Sequence, residues 1–365
     1  MREGWESKTL EKVCDKIFAG GDVPKNNLSK YKTDKYTIPI FANGEKNKGL
    51  YGYTDIPKVI EPSITVSARG TIGYSEIRNE PFFPIVRLIV LVPNQDIIDL
   101  NFLKYVVGSM EFKKSGTSIP QLTVPMIKKY KANIPPLPEQ KQIVKTLDLA
   151  FGQIDQAKAN LEQNLANAKE LFASKLNEVF SQRGEGWEEK KLGDVCENLD
   201  NQRIPITKNK REEGKIPYYG ASGIVDYVND YIFDEDLLLV SEDGANLLAR
   251  TYPIAFSISG QNWVNNHAHV LKFENMINQK FVEYYLNSIK LDDYVSGMAQ
   301  PKLNQRMLNS ILIPYPSINI QMNMLETIEN LNASIETLQT HYQQNLNNLE
   351  ELKKSILEKA FKGEL

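Results

Sequence analysis

The sequence contains itself twice. Gly4-Trp5-Glu6, Lys8, Leu10 and Val13-Cys14 recur as Gly186-Trp187-Glu188, Lys190, Leu192 and Val195-Cys196. Ser115-Gly116 with Pro120 and Leu122 recurs as Ser296-Gly297 with Pro301 and Leu303, and Ile134-Pro135 as Ile313-Pro314. Further on, Gln163-Asn164-Leu165 returns as Gln344-Asn345-Leu346, and Glu170, Leu171, Ser174, Leu176 and Phe180 return as Glu351, Leu352, Ser355, Leu357 and Phe361. The offsets stay within about three residues of one another, which chance does not sustain over half a chain. An internal repeat of this length means two copies of one folding unit.

Each unit changes character part-way. Its first portion is rich in β-branched and aromatic residues, Gly and Pro. Ile38–Phe41, Ser63–Ala68, Ile85–Val92, Leu237–Val240, Tyr252–Ser257 and Ala268–Phe273 read as short strands between polar, Gly-containing loops. Asn101–Ser109 and Gln279–Ile289 read as short helices. A proline stop follows, at Ile134-Pro135-Pro136-Leu137-Pro138 and at Ile313-Pro314-Tyr315-Pro316, where a helix is expected to begin.

From Glu139 to Phe180 there is no Pro and one Gly, Gly152. Apolar residues fall at Ile143, Leu147, Ala150, Ile154, Ala157, Leu161, Leu165 and Ala168, a coiled-coil seam with one stutter. Met324, Ile328, Leu331, Ile335, Leu338, Tyr342, Leu346 and Leu349 repeat it. Each seam is half of a core. The two are expected to pack on each other antiparallel; a coiled coil with a different protein is the alternative. The expected fold is therefore α+β. Two tandem lobes with curved, mainly antiparallel sheets (1–138 and 183–319) are separated by two long helices (139–182 and 320–365) in an antiparallel coiled coil with pseudo-two-fold symmetry.

The 365 residues suit two globular domains plus the helices, and no apolar run reaches the ~18 residues that span a bilayer. The opening residues lack the apolar stretch of a secretory leader. Two cysteines are too few for a disulfide scaffold or a zinc site, so a reducing cytoplasm is expected. The net charge of −3 is unevenly shared. Residues 1–138 hold 20 Lys and Arg against 14 Asp and Glu; residues 183–318 hold 14 against 19. A polyanion is bound by local faces rather than by the total.

Catalytic signatures are missing. There is no Gly-rich phosphate loop and no His-Glu-x-x-His, and three histidines leave little for catalysis or a metal site. His267-x-His269 shares one face of an expected strand, which reads more simply as a satisfied polar pair than as metal ligands. Asn133-Ile134-Pro135-Pro136 departs from the catalytic Asn/Asp-Pro-Pro-aromatic motif of amino-methyltransferases by an extra Ile and a missing aromatic. Cys14 and Cys196, repeat equivalents among apolar neighbours, read as small core residues. No catalytic and no metal-ligating residue is assigned.

On these motifs the chain resembles the specificity subunit of type I restriction–modification systems. The likeness covers essentially the whole length. It rests on Gly-Trp-x-x-x-x-Leu-x-x-Val opening each lobe, on Ser-Gly-x-x-x-Pro-x-Leu, on Ile-Pro-Pro-Leu-Pro-Glu-Gln-x-x-Ile at 134–143, and on the two coiled-coil helices. The second copy departs at its helix start, Ile313-Pro314-Tyr315-Pro316-Ser317-Ile318-Asn319-Ile320-Gln321, which lacks Pro-Glu-Gln. The resemblance implies that each lobe is a target-recognition domain reading half of a bipartite, asymmetric site in double-stranded DNA. The helices would set the gap and dock two modification (methyltransferase) subunits. S-adenosylmethionine, and ATP with magnesium, would belong to the modification and restriction/translocase partners, with no cofactor in this chain and no membrane. Two other classes stay open, a coiled-coil scaffold with two ligand- or protein-binding lobes and, against the missing motifs, a methyltransferase.

Candidate DNA contacts follow from side-chain chemistry. In the first lobe they are Lys46, Asn47 and Lys48 in a Gly-flanked loop, Arg69 and Thr71 in a small-residue turn, and Thr117, Ser118 and Gln121. Arginine suits a guanine edge or a phosphate. In the second lobe they are Asn246, Asn262, Asn265, His267, Gln300 and Lys302, the amides suiting adenine. Glu242 and Asp243 stand where the first lobe has its arginine turn; carboxylates repel phosphates and read either as acceptors from cytosine N4 or as orienting Arg250. Arg203, Lys208, Lys210, Arg211 and Lys215 form a basic stretch that reads either as phosphate contacts or as a solvated loop.

Overall fold

A computed structural model describes residues 2–113, 120–184, 186–297 and 300–365. The chain forms two compact units, one of residues 1–161 with 343–365 and the other of residues 162–342. The compact units therefore cut across the four sequence segments, because each takes part of both long helices.

In the first unit, Cys14–Ala19, Ile89–Pro93, Ser63–Val66 and Ser75–Arg78 form an antiparallel four-stranded sheet in that order. Ser63–Val66 is buried on both faces, which is why it reads as an unbroken run rather than an alternating one. A second sheet orders Leu50–Thr54, Ile38–Phe41 and Phe83–Pro84, the last pair parallel. Glu6–Thr9 pairs with Lys131–Ile134 beneath the proline stop. The helix Leu100–Gly108 is capped by Asp99, whose carboxylate accepts from the Asn101 and Phe102 amides, and it buries Phe102, Leu103, Val106 and Val107.

The second unit repeats this plan. Glu197–Asn198, Ala268–Lys272, Leu237–Ser241 and Ala255–Ile258 form the antiparallel sheet, and Gly223–Val228, Glu213–Gly220, Gln261–Val264 and Phe233–Asp234 form the other. Its parallel strand pair matches one in the first unit, Tyr219 lying opposite Val264 as Phe41 lies opposite Pro84. The registers fix equivalences that sequence offsets leave loose.

The long helices span Leu137–Ser181 and Ile318–Lys362. Gln140 fastens the first to its lobe. Fully buried, it accepts from the Asp99 amide and donates to the Ile97 and Pro135 carbonyls. Gln321, equally buried, donates to the Pro316 carbonyl, so the second copy keeps the glutamine although the surrounding Pro-Glu is gone. Within the first unit the two helices run antiparallel. Lys158 reaches Glu350 at 2.7 Å and Lys353 reaches Asp155 at 3.2 Å, while Ala360 joins Ile143, Val144 and Leu147 in the core. The expected seam is buried or half-buried along the central helix. In the C-terminal helix Leu338 departs from it, being 41% exposed, while Gln339 is half-buried. Leu338 keeps the alternation of four and three residues that runs through Met324, Ile328, Leu331 and Ile335, yet its side chain stands exposed.

In the second unit Leu176, Phe180, Leu325 and Ile328 share one core with the lobe. The Phe180 ring meets Phe281 and Tyr285 edge-on, each at 5.3 Å. Phe180→Ala should therefore cost the second unit about 3–5 kcal/mol, the usual penalty for emptying an aromatic site. Urea unfolding of the full chain checks it, and a loss below about 1 kcal/mol would show that helix and lobe do not share a core.

Candidate nucleic-acid interface

Three loops of the first lobe converge on Asn43. Its amide oxygen accepts from the Ala68 amide at 2.7 Å, and its amide nitrogen donates to the Val86 carbonyl at 2.6 Å. The Ser67 hydroxyl accepts from the Gly44 amide. The loop carrying Lys46, Asn47 and Lys48 is thus tied to the turn carrying Arg69 and Thr71. Lys46, Asn47, Lys48 and Thr71 are exposed. Asn47 and Lys48 are left-handed, at φ 49° and 54°, and the Lys48 carbonyl accepts from the buried Arg78 guanidinium at 2.6 Å. Arg78 also stacks on Phe41, 3.5 Å from the ring centroid, so it supports the loop from beneath.

Gln121 comes to the same place. The Leu122 amide donates to the Ala68 carbonyl, and the Gln121 side-chain oxygen accepts from Arg69 Nε at 3.3 Å and Nη2 at 2.9 Å. Arg69 is half-buried in this contact, with its fork oriented by an amide. Thr117 and Ser118 lie outside the described residues.

The second lobe places different chemistry in the same slots. The Leu303 amide donates to the Glu242 carbonyl, as Leu122 does to Ala68, so Asp243 stands in the slot of Arg69 and Lys302 in that of Gln121. Asp243 faces His267 Nδ1 at 2.8 Å, and Lys302 reaches Glu242 at 3.1 Å. Gln300 and Lys302 are exposed, and the His267 side chain is 50% exposed. The asparagines are turned inward. Asn262 is fully buried and donates to the Gly260 carbonyl. Asn265 accepts from the His267 amide, and Asn246 holds the Thr251 and Tyr252 backbone. Trp263 is half-buried and donates its indole N–H to the Ile204 carbonyl.

Beneath this face lies an ion network that the sequence did not reveal. His269, 1% exposed, sets Nδ1 2.5 Å from Asp200 and Nε2 2.8 Å from the Leu303 carbonyl. The buried ring is thus engaged at both nitrogens. Glu242 pairs with Arg203 at 2.7 Å as well as with Lys302. Arg250, expected beside Glu242, instead donates to the Leu286 and Ile289 carbonyls. Arg211 pairs with Asp226 and stacks on Tyr218. Of the basic stretch, Lys208, Lys210 and Lys215 remain exposed.

Asp200, Glu242 and His269 gather their donor atoms within 4.8 Å of one another, a spacing a metal could use. Here Arg203 and Lys302 supply the positive charge, and both imidazole nitrogens are engaged. Burial raises the Asp200 carboxyl, but the His269 hydrogen bond and charge, the Val270 amide and Arg203 outweigh it and hold it below its usual range. Glu242 is treated alike: burial raises it, and Arg203, His269 and Lys302 together lower it. Burial pushes the Cys14 and Cys196 thiols up to about 12, so both stay protonated and unreactive at neutral pH. No helix is long and apolar enough to cross a membrane among the described residues.

Comparison with known proteins agrees with this two-unit plan. A type I restriction enzyme specificity subunit of Haemophilus influenzae is 33% identical over 162 residues, 44% of this chain and 42% of that protein. A type I specificity subunit of Mycoplasma pneumoniae is 39% identical over 139 residues, 38% of this chain and 41% of that one. The chain thus spans well under half the length of these two relatives. The EcoprrI specificity subunit of Escherichia coli aligns over 96% of this chain and 91% of its own length, at 24% identity. Among solved structures, a chain from a study of complex assembly and conformational transition of the type I R-M system superposes with a TM-score of 0.79 at 18% identity, covering 100% of this chain and 99% of the other. The HsdS subunit from Thermoanaerobacter tengcongensis gives 0.59 at 17%, covering 100% and 98%. These two support the fold. The family model of the type I restriction modification DNA specificity domain matches residues 2–167 and again 184–348, one match for each copy of the repeat. With nearly all of both copies matched, the chain belongs to the type I restriction–modification DNA specificity family.

Proposed function

We propose that this chain is the non-catalytic recognition subunit of a type I restriction–modification enzyme, each lobe reading one half of a bipartite, asymmetric site in double-stranded DNA. One observation carries the reading. Two lobes of one topology present unlike side chains at matched positions, Arg69 with Gln121 in one and Asp243 with Lys302 in the other. Two readers of different half-sites need that combination of shared frame and divergent face. Although the second lobe is acidic as a whole, Glu242 at this face is paired with Arg203 and Lys302.

In this reading the long helices set the gap between half-sites and dock two modification subunits in the cytoplasm. S-adenosylmethionine would be held by those methyltransferase subunits, and ATP with magnesium by restriction/translocase subunits. Lys46, Asn47, Lys48 and Thr71 serve phosphates or base edges in the first lobe, and His267, Gln300 and Lys302 in the second. Arg69 is the sharpest test. In the complex with its methyltransferase partner, Arg69→Ala should weaken cognate DNA binding by about 1–3 kcal/mol if Arg69 reads a base. Wild-type affinity in a mobility-shift titration would remove Arg69 from the interface. An assembled complex with no sequence preference would overturn the function itself.

A further inference from the structure

The turn between Phe83–Pro84 and Ile89–Pro93 carries two consecutive left-handed residues that are not glycine, Val86 at φ 50° and Arg87 at φ 61°. Both are exposed. Left-handed backbone is disfavoured for any side chain and most of all for a β-branched one. Such strain persists only where the surroundings impose it, and it gathers at functional sites.

Here the surroundings do impose it. The Val86 and Arg87 amides donate to the Gly21 and Gly20 carbonyls, and the Val86 carbonyl accepts from Asn43. Gly20 is required for this approach, because a Cβ there would lie 2.6 Å from the Pro84 carbonyl carbon. The turn is held by two separate segments, yet it buries neither side chain. Among the described residues the Arg87 guanidinium has no ion pair or hydrogen-bond partner.

The second lobe shows where this slot faces. Four residues separate Pro84 from Ile89, and four separate Val264 from His269; Ile89 lies opposite Val66 as His269 lies opposite Val240. Arg87 is therefore the counterpart of His267, and Arg69 the counterpart of Asp243. In the second lobe those two side chains touch at 2.8 Å. The corresponding slots of the first lobe hold two arginines. In the second lobe a carboxylate faces an imidazole; in the first the slots hold two guanidinium groups, Arg69 bonded to Gln121 and Arg87 without a partner among the described residues, a pair suited to an anionic or acceptor-rich group from outside the chain. A guanine edge, with its O6 and N7 acceptors, is such a group for an arginine fork.

We infer that Arg87 is a specificity-determining DNA contact of the first lobe, reading a base edge next to Arg69, and that Asn43 is the positioning residue that holds both turns. This rests on the DNA-recognition reading above. The test uses the full chain assembled with its methyltransferase partner, as wild type, Arg87→Ala and Arg87→Lys. Each is titrated against the cognate duplex and against duplexes substituted at single positions in either half-site. Arg87→Ala should bind the cognate duplex roughly 5- to 150-fold more weakly and become indifferent to one position of the first half-site. Arg87→Lys, which keeps the charge and loses the fork, should lose the same discrimination. Discrimination in the second half-site should match wild type, which shows that the variants are folded and assembled. If every position of the first half-site keeps its wild-type discrimination, the inference falls, whether or not affinity drops uniformly. A wild-type complex that distinguishes no position in either half would instead overturn the proposed function.

Discussion

Asp200→Ala should lower the unfolding free energy of the second unit by about 3–5 kcal/mol, as expected when one partner of a buried charge network is removed and the others are stranded. Asp200 is 7% exposed at its side chain and faces His269, itself 1% exposed. It also accepts from the Val270 amide at 2.9 Å, so its loss leaves an imidazole and a backbone donor unmatched. Asp200→Asn should recover part of the loss by keeping an acceptor for Val270. The same network sets an acid limit. Asp200 and Glu242 are both held below the usual carboxylate range in the folded chain. The stability they contribute is present above their unfolded pKa values and is lost as pH falls through the lower folded ones. The second unit should weaken below about pH 4, and Asp200→Ala should weaken less over that window. Urea titrations at neutral and acid pH measure both. Equal slopes with pH for the two proteins would remove the network as the acid-sensitive element.

Inserting one heptad into each long helix should widen the gap between the two methylated half-sites by about three base pairs, since seven residues add roughly 10 Å of helix. A heptad preserves the phase of the seam, whereas four residues would rotate it. The division between the two units suggests the place. It falls after Leu161 in one helix and after Tyr342 in the other, positions equivalent in the repeat, so each unit would keep its own contacts. Sequencing the DNA methylated by the assembled enzyme gives the gap directly. An unchanged gap would end the idea of the helices as a ruler while leaving the lobes as readers.

Much of the fold was legible because it follows from periodicity. The alternation of four and three residues located both long helices, and the repeat located both lobes. Leu338 escaped because it has both the spacing and the apolar type of the seam and is exposed all the same. Gln321 escaped because the second helix start lost the Pro-Glu directly before the glutamine but kept its buried hydrogen bond to the Pro316 carbonyl. Charge pairing was less legible. Glu242 was expected beside Arg250, eight positions on, but meets Arg203 from a distant turn. Side-chain type also does not tell an amide that serves DNA from one that serves the backbone. Asn262, in the strand Gln261–Val264, and Asn246, at the start of a short helix, both spend their amides on backbone groups of the adjoining turns. Arg87 was invisible for the opposite reason, since its strain lies in φ angles that no composition records.

The first unit takes in residues 343–365, and with them Ala360 and Phe361. Phe361 meets Phe102 edge-on at 5.7 Å, and the Asn133 side-chain Nδ2 donates to the Phe361 carbonyl. About 180 residues of the second unit are synthesised between these partners. At roughly 5–20 residues per second, the first lobe waits on the order of ten to forty seconds on the ribosome without the segment that covers it. Order of synthesis and order of completion are thus reversed, and a frameshift near residue 343 would damage the lobe made first.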